Sequence, residues 1–417
     1  AGDDHGAASS TLPHQSEHNF VSAMVPVLYP ANTQEILDYG LFGWAMSRYA
    51  GLWVAMKTIA ETVDSSGSVP ANPLALAFRT PDFPMPEGGL HIRWPDKALE
   101  QEARLMRFKL EAALAFARIN RIDRTMIDRP NPRFGIVATG KAYLDVRQAL
   151  DDLGIDEAHA AEIGLRLYKV GMVWPLEQEG IRHFALGLDE ILVVEEKRPL
   201  IENQLKEQLY NWREDVRPRV IGKHDETGEW LLSSAGELSP AQIARVIAKR
   251  IDRFYTSPII QERLDWLTAK EESLSHPTHQ TARLPYFCSG CPHNTSTLVP
   301  EGSRALAGIG CHYMAIWMDR KTETFTQMGG EGATWIGQAP FTQTPHVFQN
   351  LGDGTYYHSG LLALRAAVAA RVNITYKILF NDAVAMTGGQ PVDGIISVDG
   401  IARQVEAEGV RKVIVQP

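Results

Sequence analysis

The chain has 417 residues, of which 44% are hydrophobic and 22% charged, and its formal net charge at pH 7 is −9. This composition is typical of a soluble, cytoplasmic protein with enough length for two or three domains. The acidic balance, the lack of basic blocks and the lack of an apolar run of membrane-spanning length exclude a general nucleic-acid or membrane role.

The N-terminal third is predicted to be helical on both sides of an extended connector. The chain begins with AGDDHGAASS and has no initiator Met, so we expect it to be a segment of a longer polypeptide. Asn32 and Glu35 have the spacing of a capping box, which predicts a helix from there to about Ala50. A second helix is predicted over 52–63. Six prolines in 69–95 favour an extended connector, and the apolar spacing in 96–120 predicts a long helix.

Near Arg133 the sequence pattern changes, and predicted strands and helices alternate from there on. Such alternation predicts a parallel sheet covered by helices on both faces, and it delimits an α/β domain over about 131–223. A capping signature at Ser239–Gln242 predicts a helix to about Tyr255, and the polar segment 270–281 resembles a linker. The predicted strands of this block are 134–140, 165–171, 190–196 and 217–222, and its predicted helices are 141–154, 177–184 and 199–210.

The last block, 284–417, has the same pattern and predicts a second α/β unit. Strands are predicted at 346–352, 374–380 and 412–416, and helices at 359–371 and 401–409. The expected fold class is therefore α/β, with several domains and with parallel sheets flanked by helices.

The tripeptide Gly352-Asp353-Gly354 lies where a predicted strand ends and a helix begins. After 26 intervening residues, just past the next predicted strand, comes Asn381. A carboxylate and an amide at the carboxyl ends of neighbouring parallel strands meet in the crevice where such sheets bind ligands. Their oxygens suit Mg²⁺, and the glycines allow a diphosphate to approach the backbone. The pattern favours a magnesium–diphosphate site over a plain turn.

This pattern, with its continuation NDAVAMTGGQP (381–391), resembles the 2-oxoacid:ferredoxin oxidoreductases, which use thiamine diphosphate. The resemblance is greatest to the long, fused bacterial indolepyruvate ferredoxin oxidoreductases. It implies that Mg²⁺ is held by Asp353, Asn381 and the backbone carbonyl of Ala383. It also implies that the C-terminal block has the thiamine-diphosphate-binding fold, with Gly352, Asp353, Gly354, Asn381, Ala383, Gly310 and His312 around the cofactor.

All three cysteines, Cys288, Cys291 and Cys311, lie within 24 residues. This clustering indicates a metal site rather than a disulfide framework. Thiolates suit an iron–sulfur cluster, but zinc bound by the cysteines with His293 or His312 and purely structural thiols are alternatives. By the resemblance, the three cysteines hold a [4Fe–4S] cluster whose fourth ligand lies beyond residue 417.

A run of small residues, MGGEGATWIGQAP (328–340), precedes the strand that ends in the fingerprint. Consecutive glycines before a helix suit a close backbone contact with a cofactor, although a plain turn explains them equally well. The position of the run in the family assigns it to the thiamine pocket. His293, His312 and His358 lie near these motifs, and each is more often a structural histidine than a functional one.

The resemblance extends over nearly the whole chain and gives each block an expected identity. Residues 1–70 resemble the end of a pyrimidine-binding domain, 71–130 a connector with a long helix, and 131–223 a transketolase C-terminal-like domain. Residues 224–283 form a helical linker, and 284–417 form the thiamine-diphosphate domain, truncated at its end. The glutamate that activates the cofactor is expected upstream of residue 1, so no catalytic residue is assigned within the chain.

The implied reaction is oxidative decarboxylation of a 2-oxo acid, such as indolepyruvate or another aryl pyruvate, to an acyl-CoA. The implied cofactors are thiamine diphosphate, Mg²⁺ and [4Fe–4S]. The expected partners are the 2-oxo acid, coenzyme A, ferredoxin, the remainder of a longer polypeptide and further copies of the chain. Two alternatives stay open: a non-redox thiamine enzyme of the decarboxylase or transketolase type, and an inactive fragment that binds diphosphate or a partner.

Overall fold

The structure is a computed structural model that describes residues 1–8, 12–70, 72, 76–274, 284–392, 394 and 397–416. The chain forms two compact units, Ala1–Pro277 and Thr278–Pro417. Across the described ranges, we find no helix with the length and apolarity that crossing a membrane requires.

The first unit is built around a five-stranded sheet in the order β10-β9-β6-β7-β5, in which only the edge strand β5 is antiparallel. Strands β3, β2 and β8 form a second, three-stranded sheet, and β1 pairs with β4. The strands of the unit are β1 (Gly2–Asp3), β2 (Val27–Leu28), β3 (Ala55–Met56), β4 (Thr58–Ile59), β5 (Arg124–Ile127), β6 (Phe134–Thr139), β7 (Leu165–Val170), β8 (Met172–Trp174), β9 (Glu190–Val194) and β10 (Arg219–Ile221).

Eleven α-helices lie among the described residues of this unit. They are α1 (Glu17–Ser22), α2 (Thr33–Ala50), α3 (Ala60–Val63), α4 (Ala98–Arg104), α5 (Leu110–Ile119), α6 (Gly140–Asp152), α7 (Glu157–Ile163), α8 (Gln178–Ala185), α9 (Ile201–Leu209), α10 (Pro240–Ile251) and α11 (Pro258–Leu274). A π-helical turn, Leu105–Lys109, joins α4 to α5.

The central strand β6 shows why this sheet is apolar along its length. Ile136 and Ala138 pack into the core under α6 and α10, whereas Val137 packs into a separate core under α8 and α9. All three side chains are fully buried. Successive side chains of a strand point to opposite faces, so a strand covered on both faces needs apolar residues at consecutive positions. The predicted α/β fold class is confirmed.

Of the two capping boxes predicted in the first unit, the one at α10 forms completely and the one at α2 forms in part. At α2, the Glu35 carboxylate accepts from the Ala31 N–H (2.9 Å) and not from Asn32. The Asn32 side chain accepts a hydrogen bond of 3.0 Å from the Glu35 N–H at the start of α2. At α10, Ser239 and Gln242 exchange side-chain-to-backbone hydrogen bonds as a complete capping box. These bonds satisfy N–H groups that have no partner inside the helix.

Three predictions for the first unit need correction. The segment 52–63 is not one helix, because Ala55–Met56 and Thr58–Ile59 pair as strands with partners from elsewhere in the chain and only Ala60–Val63 is helical. The helix predicted to reach Tyr255 ends at Ile251. The predicted linker 270–281 is helical as far as Leu274, and its remainder lies outside the described residues.

The second unit contains a four-stranded parallel sheet in the order β12-β11-β13-β14. Its strands are β11 (Ala305–Leu306), β12 (Thr322–Glu323), β13 (Val347–Gly352) and β14 (Ile374–Leu379), with a small hairpin of β15 (Ala383–Val384) and β16 (Gln390–Pro391). Its helices are α12 (His293–Ser296), α13 (Ala333–Gln338), α14 (Asp353–Thr355), α15 (Leu361–Ala370) and α16 (Val398–Ala407).

The strand order of this sheet creates a crevice. From β11 the chain adds β12 on one side and then β13 and β14 on the other, so the order reverses between β11 and β13. Ligands of open parallel sheets bind outside the carboxyl ends of the strands at such a reversal. The loops that follow β11 and β13 are therefore the place to look for a site.

One prediction for the second unit is wrong. Residues 412–416 were expected to form a strand after the last helix, but they have no regular structure. Most of these residues are exposed, and no described strand pairs with them, so the apolar run Val413–Val415 alone does not make them a strand.

Candidate functional site

The fingerprint Gly352-Asp353-Gly354 lies at the carboxyl end of β13 and at the start of α14. The Asp353 side chain is 3% exposed. Its Oδ2 accepts hydrogen bonds from the backbone N–H groups of Asn381 (2.9 Å) and Asp382 (2.6 Å), and its Oδ1 accepts one from Gly354 (2.9 Å). The structure thus brings Asp353 against the turn that holds Asn381. The spacing of 26 residues corresponds to one helix and one strand that return the chain to the same edge.

The oxygen atoms of this turn form a donor set that suits a hard cation. The Asn381 Oδ1 accepts a hydrogen bond of 3.2 Å from Ala383, which folds the turn so that the side chain and the following backbone lie close together. Asp353 Oδ1 and Asn381 Oδ1 each accept one hydrogen bond and retain a lone pair, whereas Asp353 Oδ2 already accepts two. Carboxylate, amide and carbonyl oxygens are ligands that Mg²⁺ accepts beside phosphate and water, so the residues present fit a magnesium–diphosphate group.

The loop after β11 carries Gly308, Gly310, Cys311 and His312. The His312 ring is 3% exposed and lies against Gly308, Gly310 and the fingerprint residue Gly352. Burial, reinforced by the nearby His293, lowers the pKa of His312 to about 4, so the imidazole is neutral at pH 7. Its Nε2 has no hydrogen-bond partner among the described residues. The two loops at the strand-order reversal therefore contact each other, and a buried polar atom there remains unused.

We expect Gly308→Ala to destabilise the second unit by about 1–3 kcal/mol, because overpacking a tight site has this cost. The added methyl would lie 2.7 Å from the His312 Nε2 and against the Asn350 carbonyl. The midpoint of urea unfolding measures the effect. Gly337→Ala is the matched control, since nothing lies within 4 Å of its added methyl in α13. An unfolding midpoint for Gly308→Ala at or above that of the unmodified chain would contradict the packing described.

The three cysteines lie in one region of the second unit. Cys288 is exposed, and Cys291 and Cys311 are half-buried. The Cys291 N–H donates to the Cys288 carbonyl (3.0 Å), and the Asn294 side chain donates to both cysteine carbonyls, which fixes the turn. Burial raises the pKa of the Cys311 thiol, and negative charge on Cys291 and Cys288 raises it further.

Because the charges of Cys288 and Cys291 affect the pKa of Cys311, the three thiols lie near one another. In the described part of the chain, however, no three or more His, Cys, Asp and Glu side chains are already arranged as a metal-binding group. The soft thiolate donors fit iron–sulfur chemistry by type. A complete site needs a fourth ligand and a closer approach of the three thiols.

Two buried polar residues of this region were missed in the sequence. Glu331, inside the glycine run, and Asn350, in β13, are both 0% exposed. One oxygen of Glu331 and both amide atoms of Asn350 have no hydrogen-bond partner in the described ranges. The available signals were weak: one acid within a run of small residues and one amide within an apolar strand.

The weaker histidine candidates differ in their surroundings. The His293 ring lies 5.9 Å from that of His312, measured between centroids, and is near the site. His358 is exposed, and its Nδ1 forms a 2.6 Å hydrogen bond with the neighbouring Ser359 hydroxyl.

One part of each unit matches a known protein-family model. Residues 308–408, which contain the crevice, match the thiamine pyrophosphate enzyme C-terminal TPP-binding domain. Residues 123–276 match the indolepyruvate ferredoxin oxidoreductase middle domain. The second unit therefore contains a region that is similar to thiamine-diphosphate-binding domains.

Two relatives that align with most of this chain are the same kind of enzyme subunit. The chain is 25% identical to indolepyruvate oxidoreductase subunit IorA of Thermococcus kodakarensis, across 94% of this chain and 61% of the relative. It is 27% identical to the IorA subunit of Methanothermobacter marburgensis, across 99% of this chain and 63% of the relative. The resemblance to indolepyruvate ferredoxin oxidoreductases is thereby confirmed, and the chain spans about three-fifths of the length of these relatives.

Among solved structures, the chain is similar to a 2-oxoglutarate:ferredoxin oxidoreductase from Magnetococcus marinus. The TM-score is 0.36 at 12% sequence identity, covering 54% of this chain and 42% of that chain. A TM-score this low does not bear on the geometry of the site.

Proposed function

We propose that this chain is the cofactor-binding part of a thiamine-diphosphate-dependent 2-oxoacid:ferredoxin oxidoreductase. The substrate we favour is indolepyruvate or another aryl pyruvate. In the overall reaction, one 2-oxo acid, one coenzyme A and two oxidised ferredoxins give one acyl-CoA, one CO₂, one proton and two reduced ferredoxins. Ferredoxin, the rest of a longer polypeptide, further copies of the chain and a cytoplasmic location belong to the same proposal.

The observation that carries this proposal is the contact between Asp353 and the turn at Asn381, at the strand-order reversal of a domain that matches thiamine pyrophosphate enzymes. Asp353, Asn381 and the Ala383 carbonyl would hold Mg²⁺ and, through it, the diphosphate. Because Asp353 is already fixed by three backbone N–H groups, it binds the ion without first losing side-chain freedom. When bound, thiamine diphosphate supplies the electron sink that decarboxylation of a 2-oxo acid requires.

The loop after β11 would orient and shield the cofactor. The lack of side chains at Gly308 and Gly310 accommodates the His312 ring beside the fingerprint, and the neutral His312 would offer a hydrogen bond without adding charge. Burial of the loop excludes water from the crevice, which strengthens polar contacts to a bound group. Cys311 lies in the same loop, so thiolate ligands and cofactor would be near neighbours.

The three cysteines would provide three of the four ligands of a [4Fe–4S] cluster, with the fourth supplied from outside this chain. The domain assignments form part of the proposal. Residues 1–70 would be the end of a pyrimidine-binding domain, 131–223 a transketolase C-terminal-like domain and 284–417 the cofactor domain.

The proposal is tested by turnover of the full-length protein that contains this chain, prepared without oxygen. We expect reduction of ferredoxin that requires both coenzyme A and an aryl 2-oxo acid. Indolepyruvate, phenylpyruvate and a branched 2-oxo acid assayed side by side would define the substrate. Decarboxylation without electron transfer would instead identify a non-redox thiamine enzyme. If the full-length protein is active and this chain alone is not, the chain is an inactive piece of the enzyme.

A further inference from the structure

Cys288 and Cys291 lie on one tight turn, and a single side chain satisfies the carbonyls of both. The Cys291 N–H donates to the Cys288 carbonyl (3.0 Å), which closes the turn. The Asn294 side-chain amide donates to the carbonyls of Cys288 (3.2 Å) and Cys291 (3.1 Å). An Asn amide has two N–H donors, which match these two acceptors. The bonds fix the backbone of the turn, and both thiols are free.

Asn294 is in turn held by the segment that begins at Cys311. That segment starts as a 3₁₀-helix, Cys311–Trp317, and continues to Arg320. The Arg320 guanidinium donates a hydrogen bond of 2.6 Å to the Asn294 carbonyl. A charged donor makes a shorter and stronger hydrogen bond than a neutral one. A path of chain and hydrogen bonds therefore connects Cys311 to the turn of the other two cysteines.

A ring contact joins the same two segments a second time. The rings of His293 and His312 are 5.9 Å apart, measured between centroids. These histidines are the direct sequence neighbours of Asn294 and Cys311. The two cysteine segments are thus connected by packing as well as by hydrogen bonding.

The carboxyl end of α12, the helix that contains Asn294, is fixed to the sheet. Lys377 lies on β14, and its Nζ donates to the carbonyls of Ser296 (2.9 Å) and Leu298 (2.6 Å). Carbonyls at the end of a helix have no partner inside it, and a cation there is favourable. Strand β14 pairs with β13, the strand that ends at the fingerprint. The cysteine turn is therefore anchored to the sheet that carries the proposed cofactor site.

We propose that Asn294 and Arg320 are positioning residues that bring the three thiols of the chain to one metal centre. Asn294 shapes the turn of Cys288 and Cys291. Arg320 joins that turn to the segment of Cys311. That the centre is a [4Fe–4S] cluster rests on the proposed function, whereas the hydrogen bonds are a property of the chain itself and are testable without metal.

Hydrogen exchange of the intact, metal-free chain tests these bonds, read by mass spectrometry with fragmentation that resolves single amides. In Asn294→Ala and in Arg320→Ala, we expect the Cys291 amide to exchange roughly tenfold faster, which corresponds to the loss of about one net hydrogen bond. Asn373→Ala is the matched control, because Asn373 also donates to a backbone carbonyl of this unit, that of Pro345 (2.9 Å). The control should leave the Cys291 amide unchanged.

Asn294→Leu and Arg320→Met cover the case in which an alanine variant does not fold. Each new side chain keeps most of the original length but has no N–H group, so the Cys291 amide should lose protection in the same way. Unchanged protection in both Asn294 variants would overturn the role of Asn294. Unchanged protection in both Arg320 variants would overturn the role of Arg320.

Cd²⁺ is the probe for metal binding, because it is a soft ion whose bonds to thiolates absorb ultraviolet light. In the unmodified, reduced chain, we expect Cd²⁺ to bind through all three thiols. Asn294→Ala should weaken this binding roughly tenfold or more, the scale for residues that support metal ligands. In Arg320→Ala, the absorbance per bound ion should fall from the value for three thiolates toward that for two, because Cys311 no longer shares the ion.

Either of two titration results would overturn the positioning role. One is a Cd²⁺ affinity of Asn294→Ala equal to that of Asn373→Ala, and the other is full three-thiolate absorbance in Arg320→Ala. If the unmodified chain binds no Cd²⁺ through its thiols, the cysteine cluster of the proposed function fails. The exchange experiment alone then decides whether the two side chains hold the turn.

Discussion

Replacing Asp353 by alanine will weaken the binding of magnesium–thiamine diphosphate at least about 100-fold, or about 2.7 kcal/mol. The substitution removes a charged ligand of the proposed metal. It also leaves the N–H groups of Gly354, Asn381 and Asp382 without the acceptor they have in the structure. These bonds are partly buried, and donors left without an acceptor there are costly, so the turn that presents Asn381 should loosen as well. Titration calorimetry in the presence of Mg²⁺ measures the affinity.

Two further variants separate the causes of this loss. Asp353→Asn keeps the shape of the side chain but removes its charge, so an intermediate affinity would assign part of the effect to the carboxylate. Asp319→Ala is the matched control, because Asp319 is an exposed acid of the same unit that pairs with Lys321 (2.8 Å). Binding by Asp353→Ala as tight as that of the Asp319 control would contradict the assignment of Asp353 as a metal ligand.

Replacing Cys311 by serine will reduce the iron that the anaerobically prepared chain retains by roughly tenfold or more, the scale on which even supporting residues affect metal sites. Cys311 is adjacent in sequence to His312, whose ring lies against the fingerprint residue Gly352, and its pKa responds to both other cysteines. Serine keeps the size of the side chain but replaces a soft donor with a hard one. Iron analysis and the visible absorbance of the protein measure the result.

The control for the cysteine variant is Ser303→Ala, a change of one polar atom in the same unit that leaves all three thiols in place. Zinc is determined in the same samples, because the cysteines with His293 or His312 are also a reasonable zinc set. Iron retained by Cys311→Ser at the level of the control would contradict the cluster. If the chain contains zinc and no iron, the three cysteines bind a structural zinc ion and not an iron–sulfur cluster.

The parts of the site that could be predicted from the sequence are those fixed by the covalent path of the chain. A strand that ends in Gly-Asp-Gly, one helix and a second strand return the chain to the same sheet edge, so the contact between Asp353 and the Asn381 turn follows from parallel topology. The buried strand Phe134–Thr139 was predictable for a related reason, since a strand covered on both faces reads as a continuous apolar run.

Features that depend on distant partners could not be predicted in this way. Ala55–Met56 is a strand only because Val27–Leu28 lies beside it, and the local sequence favoured a helix. Residues 412–416 contain a short apolar run typical of a strand but have no described strand to pair with. Glu331 is fully buried, and its burial arises from tertiary packing, which an acid in a glycine run does not reveal.

The most direct test of the account is calorimetric titration of the unmodified chain with thiamine diphosphate, with Mg²⁺ present and after its removal by a chelator. We predict saturable binding to one site per chain when Mg²⁺ is present and a large loss of affinity without it, because in the proposed site Asp353 and Asn381 would hold the diphosphate through Mg²⁺. Binding that is indifferent to Mg²⁺, or no binding under either condition, would contradict a magnesium-bridged cofactor between Asp353 and Asn381.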